Sequence, residues 1–338
     1  MLVVTKPKNA NGKICAVEQA TGVREYAETV VGVLPLNWKL KVLIQFLLAH
    51  APKGEQLNYI LRMLNSSHSP AKIAERMPIL AEKLGFLSKY LHLDGAVVLE
   101  IGTGWEPINA LLLHLVGAQT VYSYDHVPHV RFTLAKVILG EIERGLPLIS
   151  SSTLVPESTL TKRLTLLKSA TDLLSLFKLA NIMYVAPGDA AKSGLPDHSV
   201  DLVYSYAVLE HVPEETIHAI ALESKRVLRP GGLAFHVIGP FDHYANVDKR
   251  ISKVNFLQYP EWKWKVFVKN KISYHDRLRA KEFVQILRSH GAEVRVVRDT
   301  IEPSDLEALK TMKIDARFAG MTQEELAVSG SEVLYLVS

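Results

Sequence analysis

Three carboxylates stand just inside or just after three short apolar runs. Glu100 lies within Val97–Ile101, two positions before Gly102; Asp125 follows Thr120–Tyr124, 23 positions after Gly102; Asp189 follows Asn181–Ala186. A carboxylate at the end of a buried strand is costly unless something pairs with it. An incoming ligand ammonium would pair with Glu100. An acid in the place of Asp125 can accept both hydroxyls of a ribose, and one in the place of Asp189 can take an exocyclic amine of a base. The three together describe a ligand with an amine, a ribose and a base, and they would repel a pyrophosphate. Gly102-Thr103-Gly104 supplies a turn where backbone can approach a ligand closely. Such a turn alone occurs in many α/β folds. A nicotinamide-dinucleotide fingerprint would want glycine at 107, where this chain has Pro107.

The elements that must position these groups can be read from spacing. Val97–Ile101, Thr120–Tyr124, Asn181–Ala186, Val200–Tyr206 and Leu233–Ile238 read as buried strands, and Glu293–Arg298 and Glu332–Val337 as two closing strands. Between them, Ile108–Val116, Pro128 to about Gly145, Pro213–Val227 and Arg277–His290 read as helices. Such alternation predicts an α/β fold: a doubly wound, mostly parallel sheet with helices on both faces. Ligands in these sheets bind beyond the carboxyl ends of the strands. Residues 1–95 read as an N-terminal helical extension, a lid or packing region, with Ser69-Pro70 opening a helix that Pro78 should interrupt. Within it Leu36, Leu40, Leu43, Ile44 and Leu47 form a candidate packing face. Trp38, Lys39 and Lys41 beside that run also suit weak peripheral membrane contact. Residues 96–338 read as the main domain, with a helical insertion at about 146–180 and an aromatic and basic insertion at about 241–281.

Composition narrows the classes. The 338 residues are 48% hydrophobic and 22% charged, enough to build a substantial core. A single cysteine, Cys15, excludes an intramolecular disulfide framework and Cys-rich metal sites, and suits a reducing compartment. The net charge of +4 is too mild to imply nucleic-acid binding. No apolar run reaches the length of a membrane span. The expectation is a cytoplasmic protein.

Val98-Leu99-Glu100-Ile101-Gly102-Thr103-Gly104, then Asp125, then Gly188-Asp189-Ala190, then Asp201 to Val212 with Glu210-His211, then Leu228-Arg229-Pro230-Gly231-Gly232-Leu233 resemble the ordered motifs of class I S-adenosylmethionine-dependent methyltransferases. The resemblance covers about 96–240. It implies a seven-stranded sheet whose last strand is antiparallel, and S-adenosylmethionine as cofactor. The methionine moiety would lie over Gly102, Thr103 and Gly104, and the ribose hydroxyls on Asp125. The adenine amine would lie near Asp189, with Glu100, His126, Gly188, Ala190, Ser205 and Tyr206 completing the cofactor set. The family's first loop usually carries a third glycine where this chain has Glu106. That implies a differently bent loop or weaker cofactor affinity; Glu106 is also a candidate pocket acid. The segment Gly102 to Gly117, with Asp242-His243-Tyr244 and Asn255-Phe256-Leu257, is similar to a bacterial subgroup associated with polysaccharide or secondary-metabolite pathways.

Methyl transfer from a sulfonium needs positioning, and a base where the nucleophile is a hydroxyl. It requires neither metal nor redox group, and no paired carboxylates with metal-ligand character follow the fourth strand, so no metal is expected. His211, just after that strand, is either the base or a cofactor-lining residue. His243, after the fifth, is the second candidate base. Cys15 is too distant in sequence to serve as a nucleophile for cytosine methylation, and the Asn/Asp-Pro-Pro-aromatic pattern of amino-methylating nucleic-acid enzymes is absent. Residues 241–281 hold eight of the chain's 26 aromatics and ten basic residues against four acids. There Tyr244 would stack on an acceptor, and Arg277 and Arg279 would hold a phosphate. The acceptor is expected to be a small molecule or a sugar- or lipid-linked intermediate, methylated at oxygen. RNA or protein as acceptor, and an inactive cofactor-binding scaffold subunit, are the competing readings.

Overall fold

Val97–Ile101 forms β1, Thr120–Tyr124 β2, Ile182–Val185 β3, Val200–Tyr206 β4, Leu228–Ile238 β5, Ala292–Ile301 β6 and Val328–Val337 β7. They make one sheet in the order β3-β2-β1-β4-β5-β7-β6. The first five are parallel, and β7 runs antiparallel to both β5 and β6. The computed structural model describes residues 37–54, 57–58, 68–270 and 272–337, all within one unit spanning Leu36–Ser338. Leu36, Ile60, Leu61, Leu64 and Cys15 lie outside the described residues.

Alternate residues of the strands serve opposite faces, as the period-2 geometry requires. Val98, Val121, Leu202, Tyr204 and Phe235 join one buried cluster with helices Pro70–Leu87 (α2), Ile108–Val116 (α3), Phe132–Thr153 (α4), Glu157–Lys168 (α5) and Leu173–Leu179 (α6). Leu99, Ile101, Val203, Ala234 and Tyr335 join another with helices Glu214–Val227 (α7) and Ala280–Ser289 (α9). The doubly wound fold read from the alternation of elements is therefore the one observed.

The helices run further than proline placement implied. Pro78 sits inside α2 and Pro147 inside α4, which continues past Gly145 to Thr153. Each proline removes one hydrogen bond from its helix. Ile73, Met77, Leu80, Ala81 and Leu84 of α2 and Ile138, Ile142 and Ile149 of α4 are buried in the same core, and that packing outweighs the lost bonds. Pro128 does not open α4, which begins four residues later at Phe132.

A third buried cluster lies apart from the sheet. It gathers Val42 of helix Trp38–His50 (α1), Tyr244, Phe256, Leu257 and Trp264 of the 241–281 insertion, and Leu309, Phe318 and Leu326 from the segment before β7. Trp264 belongs to a short helix, Glu261–Phe267 (α8). Three of the residues expected to form the packing face of α1 do not do so, and Ile44 is half-buried. Leu40, Leu43 and Leu47 are exposed, while Val42 and Leu48 are buried. The helix docks on the insertion through Val42, with Trp38 against Tyr244 and Tyr259 and Phe46 against Phe267.

Candidate active site

A cavity of about 550 Å³ opens where β1, β2, β4 and β5 end. The neighbouring strands β1 and β4 have their crossovers on opposite sides of the sheet, so the loops that follow them separate and leave a crevice. Gly102 and Gly104 turn out of β1 with φ of 80° and 66°. A Cβ on Gly102 would lie 2.4 Å from a methyl of Val208, so the two loops close only over glycine. A Cβ on Gly104 would meet nothing within 4 Å, so that glycine faces open space beside the cavity. After β4, Ala207 holds a left-handed φ of 54°, a strained conformation for a residue with a side chain.

Asp125 ties this end together. Its Oδ2 accepts from the Gly104 N–H at 2.7 Å and its Oδ1 from the Val127 N–H at 3.0 Å. Its carbonyl accepts from the Gly188 N–H at 2.8 Å. Burial opposes the charge, but hydrogen bonds from His126, Val127 and Gly104 hold the carboxyl below the usual range. Oδ2 keeps a further lone pair for a ligand hydroxyl, whereas His126 also lies beside Oδ1. The glycine turn, the ionised Asp125 on the cavity wall and the open face of Gly104 fit a nucleoside-bearing cofactor.

Glu100 occupies a different place from the one expected. It is buried under the loop and is absent from the cavity wall. One oxygen accepts from the Ser123 hydroxyl, which pairs with Thr103 Oγ1 at 2.6 Å; the other oxygen is buried without a partner. Burial, with the charge of Asp125 adding to it, pushes the Glu100 carboxyl up to about 7. Direct pairing of Glu100 with a ligand ammonium is therefore not what this structure arranges.

The other expected cofactor residues divide. Thr103, His126 and Tyr206 line the cavity. Gly188, Asp189, Ala190 and Ser205 do not. Asp189 is exposed, with its carboxylate accepting from the Ala191 N–H at 2.9 Å, and Ser205 is fully buried against His236 Nδ1 at 2.8 Å.

Glu106, in the place of a third glycine, is a clamp. Its carboxylate accepts from His68 Nδ1 at 2.7 Å and pairs with Arg76 of α2. Burial raises its pKa and these two partners more than offset that, leaving it lowered. Trp105 beside it stacks on His129 with centroids 4.0 Å apart. The bulky turn fastens the first loop to the helical region before the sheet.

The opposite wall is built by the loop after β4 and by the insertion. His211, His243, Tyr244, Trp264, Tyr274 and His275 line the cavity there. His211 Nδ1 lies 2.9 Å from the Tyr274 carbonyl, which can only accept, so Nδ1 carries the proton and Nε2 keeps its lone pair in the neutral ring. Burial, reinforced by His211 and Lys41, lowers His243 to about 3, so this imidazole is neutral at physiological pH. His275, packed against His243 with centroids 4.4 Å apart, was missed in the sequence. It stands in an unpatterned polar stretch, and nothing local marks it.

Arg277 and Arg279 do not meet the acceptor. Both are fully buried. Arg277 donates to the carbonyls of Phe256 and Tyr259 and pairs with Glu261. Arg279 donates to the carbonyls of Pro240, Leu326 and Val328. A loop-rich insertion leaves backbone carbonyls without ladder partners, and these guanidinium groups satisfy them. The pair expected to hold a phosphate instead braces the fold.

Residues 161–236 match a family described as "Methyltransferase domain". Among solved structures, similarity extends to a methyltransferase from Methanosarcina mazei, at 17% identity over 75% of this chain and 98% of that one with a TM-score of 0.42. Another match is a methyltransferase from Mesorhizobium loti, at 15% identity over 75% and 97% with a TM-score of 0.39. A third is geranyl diphosphate C-methyltransferase from Streptomyces coelicolor, at 12% over 75% and 76% with a TM-score of 0.40. No curated protein matches the chain. The sheet order with its antiparallel last strand makes a Rossmann-like methyltransferase fold, and residues 161–236 within it match a methyltransferase domain. Among the described residues, no helix is long and apolar enough to cross a membrane.

Proposed function

We propose that the protein methylates a hydroxyl of a small molecule or of the reacting end of a sugar- or lipid-linked intermediate, of the kind found in polysaccharide or secondary-metabolite pathways. The observation that carries this reading is a single cavity with two unlike walls. Gly102, Gly104 and Asp125 form one, and His211, His243 and Tyr244 form the other. A volume of about 550 Å³ falls in the range of small-molecule sites, roughly 300–1,000 Å³. Asp125 and the glycine turn would hold the nucleoside, which supplies an electrophilic methyl group when bound. His211 Nε2 would accept the proton of an acceptor hydroxyl, and the aromatic side chains would position the acceptor and keep water out. The single cysteine suits a reducing compartment such as the cytoplasm.

A lipid-linked acceptor draws support from the exposed faces of α1 and α8, helices that also give Lys41, Gln45 and Trp264 to the cavity lining. Leu40, Leu43 and Leu47 of α1 and Trp262, Val266 and Phe267 of α8 are exposed, and Lys39, Lys263 and Lys265 stand among them. Single-stranded RNA draws less support, because Tyr244, Phe256, Trp264, Arg277 and Arg279 are buried rather than offered to a strand.

Isothermal titration with S-adenosylmethionine and with NAD, followed by labelled methyl transfer to panels of alcohols, phenols, glycosides and RNA, tests the reading. Binding of S-adenosylmethionine with transfer to a hydroxyl compound is expected. His211→Ala should lower kcat at least about tenfold while cofactor affinity stays level. Transfer to RNA alone, or His211→Ala turning over like wild type, overturns it.

A further inference from the structure

Glu210, His211 and His243 meet at the acceptor wall from two separate loops. Each offers one ligand atom, and these atoms lie within 4.8 Å of one another. Their arrangement has the marks of a built site. Glu210 is fully buried; its Oε1 accepts from the Gly239 N–H at 3.0 Å, while its Oε2 is buried with no partner. A Cβ on Gly239 would lie 2.9 Å from that Oε1, so the end of β5 leaves space for the carboxylate. His211 gives Nδ1–H to a backbone carbonyl, the outer contact that fixes a metal-binding imidazole and leaves Nε2 bare. His243 Nδ1 is buried and unpartnered, as are both ring nitrogens of the adjoining, buried His275. The loops are stitched together: the Asp276 N–H donates to the Glu210 carbonyl at 2.9 Å, and Asn255 Nδ2 donates at 2.8 Å to the carboxylate of Asp242, beside His243.

Unpartnered buried polar atoms destabilise the fold unless something pairs with them. Glu210, His211 and His243 bring one ligand atom each from separate loops to within 4.8 Å of one another, close enough to share a partner. Two imidazoles and a carboxylate bind borderline divalent ions, with Zn–N and Zn–O distances of about 2.0–2.2 Å, and in a catalytic site leave a position open. Modest side-chain rotation would draw the three atoms to that spacing.

We propose that Glu210, His211 and His243 bind a divalent transition-metal ion of the Zn²⁺ class, with an open coordination position on the cavity. This goes beyond the metal-free reading of the sequence. Its catalytic part rests on the hydroxyl-methylation reading; the binding part does not. An acceptor hydroxyl at the open position would have its pKa lowered by the ion and lose its proton to solvent. The oxygen lone pair then forms the O–CH₃ bond while the electrons of the breaking C–S bond remain on sulfur. The products are a methyl ether and a thioether, with the ion unchanged. His211 Nε2 would then hold the ion in place of acting as base.

The test uses Co²⁺ as a spectroscopic probe on chelator-treated full-length protein, with Zn²⁺ in competition. One saturable Co²⁺ per chain is expected, with visible d–d bands that Zn²⁺ abolishes. Glu210→Gln and His243→Ala should each weaken uptake at least tenfold. The pair His218→Gln and His290→Gln, which removes a histidine contact of 2.7 Å elsewhere on the molecule, should leave uptake unchanged. Urea midpoints identify any variant that fails to fold, and the isosteric Glu210→Gln keeps the test open if His243→Ala does. Absence of one-to-one uptake in wild type, or wild-type uptake in folded Glu210→Gln, overturns the proposal. S-adenosylmethionine titrations on the same samples separate the two readings. Co²⁺ uptake without cofactor binding would refute the methyl-transfer reading and leave the metal site standing; cofactor binding without Co²⁺ uptake would do the reverse.

Discussion

The two walls of the cavity are made in different ways. The cofactor side rests on short loops that directly follow β1 and β2, held by backbone N–H groups on one carboxylate, Asp125. The acceptor side is assembled from residues 206–212, 242–244 and 272–275, none of which shapes its neighbours through local sequence alone. It is secured by buried guanidinium groups that reach carbonyls as far as 49 positions away. A wall built from strand ends is fixed once the sheet forms. A wall built from loops needs braces, and its chemistry depends on them.

Removing a brace should therefore have the largest effect. Arg279→Ala leaves the carbonyls of Pro240, Leu326 and Val328 without their donor in the interior. At about 1–3 kcal/mol for each unsatisfied group, the loss should reach at least about 3 kcal/mol, read as a lower urea midpoint. Wild-type stability in this variant would erase the contrast between the walls.

Asp125→Ala is the matching change on the cofactor side. It removes an acceptor from the proposed ribose site and frees the Gly104 and Val127 N–H groups. S-adenosylmethionine affinity should fall at least about tenfold, or about 1.4 kcal/mol, with the fold retained. Titration calorimetry showing unchanged affinity would remove Asp125 from the site.

Glu100 sharpens the comparison through pH. Its pKa rises from 4.5 in the unfolded chain to about 7 in the folded one. Between those values the folded protein binds more protons than the unfolded, so this group lowers stability as pH rises through that window, and the loss levels off above about 7. The window corresponds to roughly 3 kcal/mol as an order of magnitude. Glu100→Gln should flatten the fall and be the more stable form at pH 8. Urea unfolding from pH 5 to pH 8 checks this, and an unaltered slope would show that Glu100 is not the group responsible.

Glu106→Gln should have the smallest effect. Its lowered pKa means that its contribution is present above about pH 4.5 and is lost as pH falls through the folded-state value. Arg76 is partly exposed, and solvent screening keeps the pair to about 1 kcal/mol. In thermal melts the offset between variant and wild type should be smaller at pH 3.5 than at pH 7. Equal offsets at both would make the contact one of shape rather than charge.

Much of the scaffold was legible in the chain. Five apolar runs, each ending in glycine, an acid or a turn, demand a buried parallel sheet, because only such a sheet satisfies their backbone groups and covers both faces. The turn Gly102-Thr103-Gly104 and Asp125 followed from the same pattern, since their positions are set relative to strand ends. Less legible was whatever depends on residues far apart in sequence. Arg277 and Arg279 carry the composition of an anion site, and only the fold shows that backbone carbonyls from three segments already surround them. Pro78 reads as a helix break until packing against α4 outweighs the lost hydrogen bond. His275 carries no local signature, and Glu210, His211 and His243 become neighbours only when β4 and β5 lie side by side. Sequence fixes what is enforced at short range, namely hydrophobic period, turn chemistry and strand ends. Long polar side chains can pair with partners anywhere along the chain, and tertiary structure alone chooses among them.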